Sequence, residues 1–221
     1  MSSPSSSHAP PLYGVVVPVK PLSTAKSRLA SLGDDVRRGL VLAFVVDTVN
    51  AVLDCAAVHR VLVVTDEVAL ARGLAELGVD AIPDGHTGDL NASLVQGAAE
   101  LVRRDPELRP VALCGDLPAL RSDELADVLG VGAEHPVAFV ADRAGTGTTL
   151  YTAENLARFA PQFGAGSCAA HRAAGAVEIG GDAMTSVRQD VDTPDDLADA
   201  LTLGVGARTA WVTWQAGLRV P

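Results

Sequence analysis

The sequence predicts an α/β protein built on one mostly parallel, doubly wound sheet. Three observations predict it. Short apolar runs alternate with Ala- and Leu-rich stretches of helical spacing from residue 13 to about 203. Hydrophobic content is 48% but aromatic content only 4%, so the core must be aliphatic, as buried parallel strands under Ala-rich helices require. The 221 residues suit a single α/β domain.

The elements follow in order. Residues 1–12, rich in Ser and Pro, read as a disordered tail. The apolar run 13–19 is a buried first strand, and Pro18 and Pro21 stop it from continuing regularly. A helix is expected over about 34–54, with Asp34 and Asp35 in its first turn and Val36, Leu40, Phe44 and Val45 at helical spacing. Residues 59–65 form a second strand, 67–77 a helix that Gly78 stops, and 79–82 a short third strand. A polar loop, Pro83 to Leu90, is long enough to reach over a site, and Asn91 begins an Ala-rich helix to about Arg104. Residues 110–114 are the next strand, and Ser122 caps a helix. Residues 137–141 are a strand, an extended stretch runs to Thr152, Ser167 starts a short helix, and 177–179 is a strand. Pro194 opens the last expected helix, with Thr193 as its cap. From Gly204 onward no periodicity is visible, so the domain spans 13–203 and 204–221 is a C-terminal tail.

Composition excludes several functions. A net charge of −10 disfavours a basic nucleic-acid face. A phosphorylated substrate would meet overall repulsion, so its site needs local cations or a metal ion. No apolar run approaches the length of a membrane helix, and the N-terminus is no signal peptide. The three cysteines, Cys55, Cys114 and Cys168, have no metal or redox spacing and suit a reduced, cytoplasmic setting. The histidines never fall at zinc-ligand spacing, and there is no Walker loop, dinucleotide fingerprint or nucleophile elbow. Cys168 beside His171 reads as core, and Trp211 and Trp214 as cover for an apolar patch.

The candidate chemistry gathers at strand ends. The chain writes 15 of its 17 cations as arginine; its two lysines, Lys20 and Lys26, both follow the first strand, with Arg28 beside them. The carboxyl end of a strand is where an open α/β sheet binds ligands, and lysine suits phosphate as a point charge. The same residues also read as a solvated loop. Asp116 emerges from a fully apolar strand between Gly115 and Pro118; it is either a site residue or a turn aspartate. Asp190 and Asp192, two apart in an extended segment, face one side. With Asp116 they could hold Mg²⁺, which takes one or two carboxylates and completes its shell with phosphate and water. Gly145-Thr-Gly-Thr148 and Phe163-Gly-Ala-Gly-Ser167 are small-residue loops that could offer amides and a hydroxyl to an anion, or could be tight turns.

Taken together, five motifs in order resemble the CofC/FbiD guanylyltransferases of coenzyme F-420 biosynthesis. They are Pro-Val-Lys-Pro-Leu22 with Ala-Lys-Ser-Arg-Leu29, Gly-Asp-Leu-Pro118, Ala-Asp-Arg-x-Gly-Thr-Gly-Thr148, Arg-Phe-x-Pro-x-Phe-Gly-x-Gly-Ser167, and Asp-Val-Asp-Thr-Pro-x-Asp-Leu197. They cover nearly all of 13–203, with both tails outside. The resemblance implies a nucleotidyltransferase domain of the glycosyltransferase-A-like, MobA-like kind. It implies transfer of GMP from GTP to a phosphorylated three-carbon acid, with release of diphosphate. Composition poor in Lys and rich in Ala and Arg suggests a high-GC actinobacterium. With the analogy, that favours phosphoenolpyruvate as acceptor over 2-phospho-L-lactate. Carried over by position, Thr148, Gly164 and Ser167 bind the acid, and Asp116, Asp190 and Asp192 hold Mg²⁺. Asp116, Lys26 and Arg28 are the catalytic candidates, and Lys20, Lys26 and Arg28 face the GTP phosphates. Where the wider superfamily has a glycine-rich opening loop, this chain reads Pro-Val-Lys-Pro, so the phosphate cradle differs. Pro83–Asn91 and the helix after it are the expected guanine region. A cytidylyltransferase of the same fold and a non-catalytic nucleotide-binding regulator are the rival readings, and oligomeric state is left open.

Overall fold

The structure, a computed structural model, describes residues 11–20, 26–86, 88–181 and 184–218. Its centre is a seven-stranded sheet in the order β3-β2-β1-β4-β6-β5-β7. The strands are β1 (Tyr13–Pro18), β2 (Val58–Val64), β3 (Asp80–Ile82), β4 (Arg109–Leu113), β5 (Val137–Ala141), β6 (Thr148–Ala153) and β7 (Val177–Glu178). All pairings are parallel except those of β6, which runs antiparallel to both β4 and β5. The helices are α1 (Asp34–Leu53), α2 (Val68–Glu76), α3 (Leu90–Arg104), α4 (Ser122–Gly132), α5 (Ser167–Ala173), α6 (Pro194–Leu203) and α7 (Ala207–Gln215). No helix of the described residues is long and apolar enough to cross a membrane.

Both faces of the sheet are covered, which is why its central strands read as continuous apolar runs. Side chains alternate along a strand, so Val15 and Val17 of β1 point to one face and Val16 to the other. Val15 and Val17 join one core with Val45 and Val49 of α1, Leu70 and Leu74 of α2, and Leu125 and Val128 of α4. Val16 joins a second core with Leu94, Ala98 and Leu101 of α3. α3 lies close to the sheet at Gly97, where an added Cβ would collide with Val16. A third core, with Leu40 and Phe44 of α1, Val191, and Leu197 and Ala200 of α6, sits beside the site described below.

Several local readings are corrected. Ser122 is inside α4 and makes no capping bond; Arg121 precedes the helix, and Asp123 and Glu124 supply the acidic first turn. The N-cap of α3 is Asp89, whose side chain accepts from the Ala92 N–H at 3.0 Å, leaving Asn91 for another task. A 3-10 turn, Ser27–Leu32, lies between the lysine loop and α1. The most extensive correction is at the C-terminus. The stretch from Gly204, expected as a tail without periodicity, contains α7, which packs on α1 through Val212. Asp47 of α1 accepts from the Arg208 and Thr209 N–H groups at 3.1 and 2.7 Å, capping α7 from across the molecule. The expected N-terminal tail up to residue 10, and Pro21 to Ala25 of the lysine loop, lie outside the described residues.

Candidate active site

β1 and β4 are parallel neighbours at the place where the strand order reverses, so their carboxyl ends open one crevice. Pro18, Val19 and Lys20 leave β1 there; Cys114, Gly115 and Asp116 leave β4. Gly115 is required by close approach, since a Cβ would sit 3.1 Å from Val17 Cγ1 and 3.5 Å from the Pro18 carbonyl. Thr48 of α1 holds the turn, accepting from the Leu117 N–H at 3.1 Å. These residues line a cavity of about 280 Å³ with Lys26, Phe44, Leu90 and Asp192.

The acidic segment 190–192 is drawn to this rim by its neighbours. Glu124 of α4 accepts from the Val187 N–H at 2.8 Å, and Arg188 donates to the Ala141 and Asp142 carbonyls at 3.2 and 3.0 Å. The Val191 N–H donates to the Asp116 carbonyl at 3.1 Å while its side chain is fully buried. Val191 points into the core, so Asp190 and Asp192 share the opposite side. Carboxylate oxygens of Asp116, Asp190 and Asp192 lie within 4.8 Å of one another.

Charge decides the state of this group. Lys26 pairs with both Asp116 and Asp192. Burial opposes its charge, but the two carboxylates outweigh burial and hold the ammonium above its ordinary range. Lys26 is also the described non-glycine residue with positive φ, at 54°, a conformation that costs about 1 kcal/mol or more. For Asp192, burial is outweighed by Lys26, Arg28 and Lys20, and the carboxyl stays below its usual range. For Asp190 the balance is the reverse: burial, then the Asp116 charge, outweigh the pull of Lys26 and push it up to about 7. Burial and the same carboxylates push the Cys114 thiol well up, so it is no nucleophile here. Asp116 Oδ1 is buried with no hydrogen-bond partner among the described residues. An orphaned carboxylate oxygen, two further carboxylates and an open cavity fit a hard divalent cation, and the group could hold one.

The second cluster lies at the start of β6. Because β6 runs opposite to β4, its first residue, Thr148, sits at the rim where β4 ends. Cys114 donates its thiol hydrogen to the Thr148 carbonyl at 3.4 Å, which puts Thr148 against the wall of the carboxylate cavity. Ser167 opens α5 with its hydroxyl buried and unpartnered among the described residues. Gly164 lies in the loop before it with φ 132°. In the first of the two loops, the amides expected to be open for an anion are occupied. Asp142 accepts from the Thr146 and Gly147 N–H groups at 2.9 and 2.8 Å, and its carbonyl accepts from Gly145 at 3.1 Å. The Ser167 and Cys168 N–H groups donate to the Gly164 and Thr146 carbonyls.

Two residues that sequence reasoning passed over hold this cluster. The Asn91 amide brackets the Phe163 backbone, accepting from its N–H at 2.7 Å and donating to its carbonyl at 3.1 Å. It ties the loop that carries Gly164 to the start of α3. His171 lies 3.0 Å from Thr148 Oγ1 and 2.8 Å from the Gln162 nitrogen. A polar residue near a helix start, the second residue of α3 for Asn91 and one turn into α5 for His171, was the available signal, and neither is distinctive alone.

A larger, shallower groove of about 1040 Å³ runs between α1, residues 118–123 and α7. Two of its acidic groups are already engaged: Asp47 caps α7, and Asp123 pairs with Arg121 at 2.8 Å. The chemistry therefore lies in the smaller crevice.

Comparison with known proteins gives the family and the fold. Residues 13–220 match the family described as "Guanylyl transferase CofC like", which brings the C-terminal helix within the matched region. The chain is 54% identical over 201 residues to a phosphoenolpyruvate guanylyltransferase of Streptomyces coelicolor, covering 90% of this chain and 95% of that one. It is 46% identical over 198 residues to one of Thermomonospora curvata, covering 90% and 87%. Among solved structures it superposes on a nucleotidyl transferase from Methanothermobacter with a TM-score of 0.61 at 19% identity, over 87% of this chain and 97% of that one. A Mycobacterium tuberculosis protein crystallised with manganese gives a TM-score of 0.56 at 20% identity, over 87% and 98%. At such identities these two show the fold, an α/β nucleotidyltransferase fold, and the family match carries the rest: the chain belongs to the CofC-like guanylyl transferases.

Proposed function

We propose that the chain transfers GMP from GTP to phosphoenolpyruvate, giving enolpyruvyl-diphosphoguanosine and diphosphate, as a step of coenzyme F-420 biosynthesis. The observation that carries this reading is the meeting of Asp116, Asp190, Asp192 and Lys26 in one crevice at the strand-order reversal. The names borne by relatives at about half identity support the acceptor.

In this reading the crevice brings two anions together on a chain of net charge −10. Mg²⁺, held by Asp116, Asp190 and Asp192, would neutralise phosphate charge on the bound nucleotide. Lys20, Lys26 and Arg28 face the same carboxylates and supply cations for the GTP phosphates. Thr148, Gly164 and Ser167 bind the acid from the β6 side. The acceptor phosphate is already ionised, so no general base is required, and positioning with charge stabilisation does the catalytic work. The loop from Pro83 and the start of α3, which sends Leu90 into the cavity, are the proposed guanine side.

The test is product analysis by mass spectrometry. GTP or CTP is offered with phosphoenolpyruvate, 2-phospho-L-lactate or a sugar phosphate, with Mg²⁺ present or chelated. The expected product forms only with GTP and phosphoenolpyruvate and only with the metal. A product with 2-phospho-L-lactate alone would replace the acceptor, and no product with any pair would favour a nucleotide-binding regulator.

A further inference from the structure

His171 takes no part in the steps above, yet it is fully buried beside Thr148. It is packed among the rings of Phe139, Tyr151 and Phe163, at centroid distances of 5.3, 4.7 and 5.7 Å. Its Nε2 is 2.8 Å from the Gln162 backbone nitrogen. A backbone N–H can only donate, so Nε2 must present a lone pair. A neutral ring then carries its proton on Nδ1. Nδ1 lies 3.0 Å from Thr148 Oγ1, so the ring donates and the hydroxyl accepts. The single proton of Thr148 must point elsewhere, and no acceptor for it is present among the described residues.

We infer that His171 is a positioning residue that fixes the Thr148 hydroxyl as a hydrogen-bond donor toward the acceptor, so that this side of the pocket selects a substrate oxygen bearing negative charge. The inference rests on the proposed role of Thr148 in holding the acid. The opposite tautomer would set an N–H against the Gln162 N–H. It would also turn the Thr148 hydrogen back onto the ring and leave lone pairs facing an anion. Burial reinforces the required state, pushing the ring's pKa down to about 4, so it stays neutral in ordinary conditions. The same ring holds the loop that carries Gly164, through Gln162. One side chain thus sets both the polarity of a hydroxyl and the position of a loop.

Two measurements on the full chain test this. In the wild type, long-range ¹H–¹⁵N spectra of labelled histidine should show His171 as the Nδ1–H tautomer, assigned by its through-space contacts with the rings of Phe139, Tyr151 and Phe163. An Nε2–H tautomer would overturn the inference, whether or not any variant folds. The second measurement is a double-mutant cycle on the KM for the acid. His171→Phe and Thr148→Val should each raise it about tenfold, with kcat and the KM for GTP within about threefold. The double variant should fall well short of the product of the two single effects, because the oriented hydroxyl is lost in both and only the loop contact is lost in addition. Additive effects would make His171 a packing residue and end the proposal. Ser167→Ala separates the two levels. If it and Thr148→Val raise the acid KM while the cycle is additive, the acid site stands and the His171 role falls. If neither raises it, the acid site itself is misplaced and the inference falls with it.

Discussion

The two halves of the crevice hold anions by different means. At the ends of β1 and β4 the work is done by charge: three carboxylates, one lysine clamped between two of them, and Lys20 and Arg28 nearby. At the start of β6 it is done by neutral groups: two hydroxyls, a buried imidazole and an asparagine that holds the loop. On the proposed assignment, the first half accepts a highly charged nucleotide and its counter-ion, and its groups are mobile in charge and partly open to water. The second then holds one small acid in a fixed pose, and buried hydrogen bonds to neutral partners give direction without adding charge. The contrast also separates affinity for charge from selection of shape.

Breaking the charged half should have the largest effect. Asp116→Asn removes a carboxylate that is orphaned on one oxygen and paired with Lys26 on the other. Turnover is expected to fall about a thousandfold. Melting temperature should stay within about 5 °C of the wild type, as checked by diphosphate release and circular dichroism at matched Mg²⁺. Near-normal turnover would remove Asp116 from the chemistry.

The neutral half should show itself in stability rather than rate. His171 is held neutral, with a folded-state pKa of about 4 against 6.5 for the free side chain. Its contribution is fully present above pH 6.5 and is lost as pH falls toward 4, because in that window the unfolded chain binds the extra proton. The loss amounts to roughly 3 kcal/mol by linkage. Asp190, pushed up to about 7, takes a proton in the folded state over the same window and tilts the profile the other way. The His171 contribution is therefore read as the difference between the urea-unfolding profiles of the wild type and His171→Phe, the wild type losing stability relative to the variant as pH falls. Equal slopes would mean that another group titrates.

Smaller effects sharpen the boundary. Lys26→Met should lower kcat/KM for GTP about thirtyfold while changing the KM for the acid little, since a point charge is removed from the nucleotide side only. An equal rise in both would place Lys26 between the substrates. Asn91→Asp keeps the bond from the Phe163 N–H but sets a second oxygen against the Phe163 carbonyl. About a fivefold rise in the KM for the acid is expected, with faster amide hydrogen exchange confined to 161–166. Faster exchange without a change in KM would show that the tether is not needed for binding.

The same contrast explains what was legible in the sequence. The charged half was readable because strand ends are marked by apolar runs, and Asp116, Lys26 and the Asp190–Asp192 pair stand out against them. Helix starts with local caps were also readable, and Thr193 does form a reciprocal capping box with Asp196. The neutral half was only partly readable. Thr148, Gly164 and Ser167 could be named by resemblance, but the partners that orient them come from distant positions, and a lone His or Asn carries no periodic signal. α7 was invisible for a related reason. Its inward face carries Thr209 and Thr213, while Trp211 and Trp214 are 53% and 68% exposed, so the usual apolar stripe is inverted. Its cap, Asp47, is supplied by another helix. The open amides expected at residues 145–147 failed because Asp142, three residues earlier, occupies them, a turn chemistry that leaves no room for a ligand.

The reversed strand has one more consequence. With β6 inserted backwards between β4 and β5, the link from Ala141 to Thr148 is a hairpin whose tip stands at the catalytic rim. The parallel strands on the other side, with their crossovers through α1, α2 and α3, need not change for that tip to change. The architecture is therefore modular. On the proposed assignment, a nucleotide-handling frame is joined to two segments that carry the acid contacts, the β5–β6 hairpin with Thr148 and the loop before α5 with Gly164 and Ser167. Exchanging both together between relatives is the expected route to retargeting the transfer to a new acid without redesigning the donor side.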